Sequence, residues 1–120
     1  MLKLAPESDL ETTVETENDD AINCAACGHL VTRLRWAITK NGRHEHEFMN
    51  PAGFAFLIQC YSEAPGAGAH GFPSDEFTWF KGYDWQVAQC QHCGVQLGWV
   101  FVAENAFYGL IRKRLSAGEG

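Results

Sequence analysis

Two copies of one short motif, CAACGH at 24–29 and CQHCGV at 90–95, constrain this chain more than any other feature. In each, the two-residue gap lets both sulfurs of a tight turn face one ion. The Gly that follows accepts the positive φ the turn needs, which leaves backbone N–H groups aimed at the thiolates. Two such turns supply the four thiolates that a tetrahedral zinc ion takes. Cys24, Cys27, Cys90 and Cys93 are therefore the expected ligands and Zn2+ the expected ion. The pairs stand 62 residues apart, far more than in a compact zinc ribbon. The metal must then join the two ends of the domain and close a long loop, which couples its binding to folding. Two independent redox dithiols are the alternative, but neither pair lies at a strand-to-helix junction as in thioredoxins.

The length of 120 residues suits one domain, with a core small enough to benefit from such a staple. No apolar run reaches the roughly 18 residues of a membrane span. The opening MLKLAPESDL lacks the continuous apolar stretch of a signal peptide. A reducing cytoplasm is expected, where paired cysteines hold metal more often than they form disulfides. The net charge of -6 comes entirely from residues 1–20, which hold seven acids and one base, Lys3; residues 21–120 are neutral, with eight of each sign. That balance is poorly matched to a phosphate backbone, so no nucleic-acid partner and no membrane partner is expected. The only basic cluster, Arg112-Lys113-Arg114, reads as a solvated end.

The expected organisation is an acidic, disordered arm over 1–20, one domain over 21–116 and a flexible tail over 117–120. LVTRLRWAIT (30–39) alternates, with Leu34, Trp36 and Ile38 on one face, and reads as a half-buried strand. Asn41-Gly42 is a hairpin turn leading to a polar edge strand at about 43–49. Asn50-Pro51-Ala52-Gly53 is a second turn, and FAFLIQCY (54–61) an apolar strand. The Gly-, Pro- and Ala-rich stretch 62–76 reads as a loop. Strands follow at WQVAQ (85–89) and LGWVFVA (97–103), and FYGLIRKRL (107–115) is read as a closing strand rather than a short helix. The fold class is all-β.

Cys60, in an apolar strand, reads as a small buried hydrophobe. His44 and His46, two apart on one strand face, could chelate but read as solvated; His29, His70 and His92 gain no role, since the zinc set is full without them. Trp36 fits a core face. Trp79, Trp85 and Trp99 surround a Gly-containing loop and the second cysteine turn, with Phe101 pointing the same way as Trp99. They can form either a packed aromatic core or the lining of a cleft, the latter favoured by an indole N–H that resists full burial.

The segment FTWFKGYDWQVAQCQHCGVQLGWVFVA (77–103), the turn NPAGF (50–54), the first pair CAACGH and the ending FYGL (107–110) resemble the thalidomide-binding (CULT) domain of the cereblon family, and most of all its single-domain bacterial members. The resemblance covers about residues 22–115. It implies a β-tent of two antiparallel sheets pinned by a four-cysteine zinc site, and a pocket for cyclic imides such as the glutarimide of thalidomide. It also implies roles. Trp79, Trp85 and Trp99 would be three walls and Phe101 the floor. The backbone of Phe77 and Trp79 would bond the imide, and Asn50 and Pro51 would close over the ring with Phe56 nearby. The family often has His where this chain has Phe77. Residues for a ubiquitin-ligase adaptor surface are not expected.

Two rivals remain. Methionine sulfoxide reductases of the B type also use two Cys-x-x-Cys turns, but their nucleophilic Cys follows the second pair, and none follows Cys93 here. A zinc-knuckle module binding protein or nucleic acid would use the aromatics for stacking. The expected activity is therefore binding without catalysis.

Overall fold

The computed structural model describes residues 20–117. Nine strands form two antiparallel sheets, and no α-helix occurs among the described residues. The strands are β1 Ala21–Cys24, β2 Leu30–Arg33, β3 Glu45–Met49, β4 Ala55–Tyr61, β5 Ala67–Ser74, β6 Asp84–Cys90, β7 Gln96–Val102, β8 Ala106–Ile111 and β9 Leu115–Ala117. The smaller sheet runs β2-β1-β9 and the larger β3-β4-β8-β7-β6-β5. None of the described helical segments is long and apolar enough to cross a membrane.

The cysteine motifs are hairpin turns, one in each sheet. β1 ends at Cys24 and returns as β2; β6 ends at Cys90 and returns as β7. The two turns are built alike. Gly28 N donates to Cys24 O at 2.8 Å and Gly94 N to Cys90 O at 2.9 Å, and both glycines take φ +84°. A side chain there would be strained, which is why the motif carries Gly at both places.

Other turns form where the residues demand them. Asn41 (φ +55°) and Gly42 (φ +82°) make a two-residue turn closed by reciprocal bonds between Lys40 and Arg43. In the 50–54 turn, Gly53 N donates to Asn50 O and Phe54 N to Asn50 Oδ1, each at 2.9 Å. β3 is an edge strand, as its polar sequence predicts.

Three readings of the sequence are corrected. The alternation over 30–39 does not continue as a strand: β2 stops at Arg33, a 3-10 turn takes Leu34–Trp36, and Leu34 is left exposed. The turn is held by Asp20, whose carbonyl accepts from Leu34 N at 2.8 Å and whose carboxylate accepts from Arg33 and Arg35. Trp36 is accordingly half-buried in a turn, not on a strand face. The loop expected at 62–76 contains β5, which pairs with β6 on one side only and breaks register between His70 and Ser74. Gly and Ala suffice there because an exposed edge strand needs backbone bonds more than packed side chains. The closing segment is strand only to Ile111; a 3-10 turn at Arg112–Arg114 then carries the chain across to β9 in the other sheet. The expected arm and tail lie outside the described residues apart from Asp20 and Ala117, which belong to the fold.

Asp20 is held down to about pKa 2, first by the Arg35 side chain and then by Arg33 and the Arg35 backbone, which together outweigh the opposing cost of desolvation. A folded pKa below the unfolded value of about 3.9 means stability that is fully present above that value and lost only as pH falls through the folded one. Asp20→Ala should therefore lower the unfolding midpoint by the same amount at pH 6 and pH 8. Thermal denaturation at both values checks this; an offset that changes between them contradicts the assignment.

Buried side chains form two clusters. Val31, Tyr61, Leu97 and Leu110 pack with Cys24 and Cys90 beneath the cysteine turns and join the two sheets. Ile58, Cys60, Phe80, Phe101, Phe107 and Ile111 pack beneath the tryptophans. β7 crosses β8 so closely that a Cβ on Gly98 would overlap the carbonyl of Gly109, so the strand centre admits only Gly.

Candidate functional site

The four cysteine sulfurs converge. Sγ of Cys24 lies 3.8 Å from that of Cys93, Sγ of Cys27 lies 3.6 Å from that of Cys90, and all four lie within 4.8 Å of one another. Each pair mixes one cysteine from each hairpin, so the cluster ties the small sheet to the large one. The four thiols resist ionising together. Although the His29 N–H favours the thiolate, burial and the neighbouring sulfurs push Cys27 up to about 12. Burial also opposes the Cys90 thiolate, but N–H groups of Cys93 and His92 and the Cys27 and Cys93 thiols outweigh it and bring Cys90 down to about 7. One thiolate with protonated neighbours is what a cluster of like charges gives by itself; a divalent cation is what lets all four ionise. The donor set thus fits a metal ion. Above it the rings of His29 and His92 stack at 3.6 Å, a contact between the two turns that the sequence reading did not anticipate.

The tryptophans stand around a recess of about 420 Å³. Trp79 and Trp99 meet edge to face at 4.7 Å, and Phe56 sets its edge to Trp99 at 5.3 Å. Behind Trp79, the ring of Phe48 stacks at 4.8 Å and fixes the indole from outside. Trp85 makes no ring contact with the other two; its Nε1 donates to Glu76 O at 2.7 Å, which holds the 75–77 turn beside it. Phe101 is buried and forms the base, resting on Phe80 and Phe107. The aromatic residues are neither a solid core nor fully exposed, so the cleft reading of the sequence holds over the core reading.

All eight residues singled out by the resemblance line this one recess: Asn50 and Pro51 from the β3–β4 turn, Phe56 from β4, Phe77 and Trp79 from the segment before β6, Trp85 from β6, and Trp99 and Phe101 from β7. Phe77 has an exposed side chain and φ +56°, a left-handed conformation that costs a non-glycine residue about 1–2 kcal/mol. It turns the backbone between Glu76 and Trp79 out of any strand. Among the described residues, the backbone of Phe77 and of Trp79 forms no hydrogen bond.

Three lining residues were missed: Val87, Gln96 and Arg114. Val87 follows from alternation with Trp85. Gln96 does not, because it is three positions from Trp99, an odd offset that alternation places on the opposite face. Arg114 reaches the site only through the 3-10 turn that the sequence reading replaced with strand.

Among the described residues, none lining the recess is a nucleophile. Cys60 is fully buried in the cluster beneath, where desolvation, only partly offset by Lys40, pushes its thiol up to about 11. That protonated, inaccessible thiol fits the small-hydrophobe reading. His44 Nδ1 bonds Ile38 O at 3.0 Å and His46 Nε2 bonds Arg43 O at 3.1 Å, so both are half-buried and locally satisfied rather than freely solvated.

No family model matches the chain. Curated relatives do. A protein named cereblon from Gallus gallus is 36% identical over 74 residues, covering 57% of this chain and 17% of the relative. Cereblon from Drosophila persimilis is 31% identical over 94 residues, 70% of this chain and 15% of the relative. Cereblon from Drosophila virilis is 28% identical over 120 residues, 92% of this chain and 18% of the relative. The chain thus spans less than a fifth of the length of these relatives. An all-β pair of antiparallel sheets, a four-cysteine cluster between them and an aromatic recess, together with this similarity, identify the chain as a cereblon-like domain.

Proposed function

We propose that the recess binds a small, uncharged cyclic imide of the glutarimide type, that the cysteines hold Zn2+, and that the domain binds without catalysing. The observation that carries this reading is the three-tryptophan recess with the unbonded backbone of Phe77 and Trp79 among its lining residues. A glutarimide has an apolar half of CH2 groups, whose slightly positive hydrogens favour the faces of indoles. Its other half, carbonyl–NH–carbonyl, matches backbone donors and acceptors that lack partners. Being neutral, it needs no buried counter-charge.

The sulfur spacing supports zinc. Zn–S bonds of about 2.3 Å in a tetrahedron require sulfurs about 3.8 Å apart, and the two measured pairs are 3.8 and 3.6 Å. When bound, the ion neutralises the thiolates and locks the two hairpins. We place the protein in a reducing, cytoplasmic setting because the site needs free thiols. The neutral folded part supports a small molecule rather than nucleic acid as partner.

About eight heavy atoms at roughly 0.7–1 kcal/mol each would give about 6–8 kcal/mol, a Kd in the low to tens of micromolar. Titrating glutarimide should shift tryptophan fluorescence with a Kd in that range. The ring-opened acid should bind at least tenfold more weakly, because its carboxylate would enter an apolar box. Equal affinity for both, or no response to either, rejects the reading.

A further inference from the structure

Beyond its aromatic end, the recess has a second end of different chemistry, formed by residues that alternation along β7 hides. Gln96 and Trp99 are three residues apart and would face opposite ways in a regular strand. They do not, because β6 and β7 change register: Val87 pairs with Trp99, Ala88 with Gly98, and then Gln89 with Gln96. Leu97 drops out of the pairing as a bulge, and Gln96 returns to the face of Trp99 and Phe101. It stands one strand repeat, about 7 Å, from Trp99 towards the cysteine turn.

Arg114 comes to the same end. Its carbonyl accepts from Ala25 N, inside the first cysteine turn, at 3.0 Å, and its Nη1 donates to Gln96 O at 2.8 Å. Both bonds fix where the guanidinium lies. Among the described residues, it pairs with no carboxylate and is the only charged residue lining the recess. The remaining guanidinium N–H groups have no acceptor within the described chain. A recess of about 420 Å³ is also more than a single six-membered ring fills.

Resting on the cyclic-imide reading, we infer that Arg114 is a specificity-determining residue: the site selects imides that carry a carboxylate on a short arm off the ring. The ring occupies the tryptophan end; the arm crosses one strand repeat; the carboxylate meets the half-buried guanidinium, which presents a planar fork of donors. One cation with no second beside it balances one negative charge, so a carboxylate suits this end better than a doubly charged phosphate. The anion never enters the apolar box, so the weak binding expected of ring-opened acids is not in conflict with it.

The test compares two matched probes, 3-acetamidoglutarimide and 3-succinamidoglutarimide, the second ending in a carboxylate. The wild-type protein should bind the acid about five- to tenfold more tightly at low salt, the size of a half-exposed charge-assisted contact. That ratio should shrink in 0.5 M NaCl, fall to about one or below in Arg114→Gln, and survive in part in Arg114→Lys. The ratio within each protein is the readout, so a general change in site quality cancels. The salt arm needs no variant and decides the matter even if Arg114→Gln folds poorly. A ratio near one in the wild type, or an undiminished ratio in Arg114→Gln, overturns the inference while leaving imide binding intact. Failure of both probes to bind overturns the imide reading itself.

Discussion

Stripping the metal should unfold the domain. Treatment with a strong chelator, or Cys24→Ser combined with Cys90→Ser, should abolish the β-sheet circular dichroism signal and red-shift tryptophan emission at neutral pH and room temperature. The size of the effect follows from where the cluster sits. Cys24 ends β1 in one sheet and Cys90 ends β6 in the other, so a metal held by the sulfurs cross-links a three-stranded sheet to a six-stranded one. β1 and β2 are only four residues long, and β9, which pairs with β1 alone, has three. Such a sheet does not hold by itself. Apparent binding energies of about 10–16 kcal/mol for structural zinc rival the total stability of about 5–15 kcal/mol of a small domain. The thiols must also lose protons to take up the ion, and in the metal-free cluster Cys27 is held up at about 12. Metal uptake therefore releases protons and weakens as pH falls. Far-ultraviolet spectra recorded alongside stoichiometric metal release check the expectation; a chelated protein with unchanged spectra would remove the metal from the account of the fold.

Trp99→Ala should cost at least thirtyfold in glutarimide affinity while the domain stays folded. Trp99 lies between the two other parts of the wall, meeting Trp79 at 4.7 Å and Phe56 at 5.3 Å, and stands directly across the ladder from Val87. Truncation deletes one indole face and lets the neighbours collapse into the space. Losing an aromatic anchor costs about 2–4 kcal/mol, thirtyfold to near a thousandfold, and moves a micromolar ligand towards millimolar. Trp99 is only half-buried, so the fold loses less than it would at Phe101 beneath. Isothermal titration of the variant, beside its circular dichroism and metal content, separates the two effects. Unchanged affinity in a folded variant rejects the aromatic cage.

Much of this was legible because the signals were local and rested on strict backbone chemistry. Cys-x-x-Cys-Gly admits few conformations, and both copies adopt the same hairpin. Asn41-Gly42 and Asn50–Gly53 turn where they should, for the same reason. The three tryptophans and Phe101 could be grouped because Trp99 and Phe101 keep the period of two along β7. What escaped was set by pairing at a distance. Leu34 and Trp36 continue an alternating pattern, but Asp20, 13 and 15 residues earlier in the chain and assigned to the arm, captures Arg33 and Arg35 and bends the chain into a turn. The Gly-Ala stretch 67–74 has no apolar pattern, yet the edge of β6 recruits it through backbone bonds. Gln96 and Arg114 joined the recess through a bulge and a 3-10 turn, neither of which leaves a periodic trace.

The role assigned to the recess is tested most directly by a crystal structure of the zinc-loaded protein with glutarimide. The ring is expected between Trp79, Trp85 and Trp99 above Phe101, with its imide edge hydrogen-bonded to the backbone of Phe77 and Trp79. A ring bound elsewhere, or one whose imide edge faces solvent instead of that backbone, would contradict it.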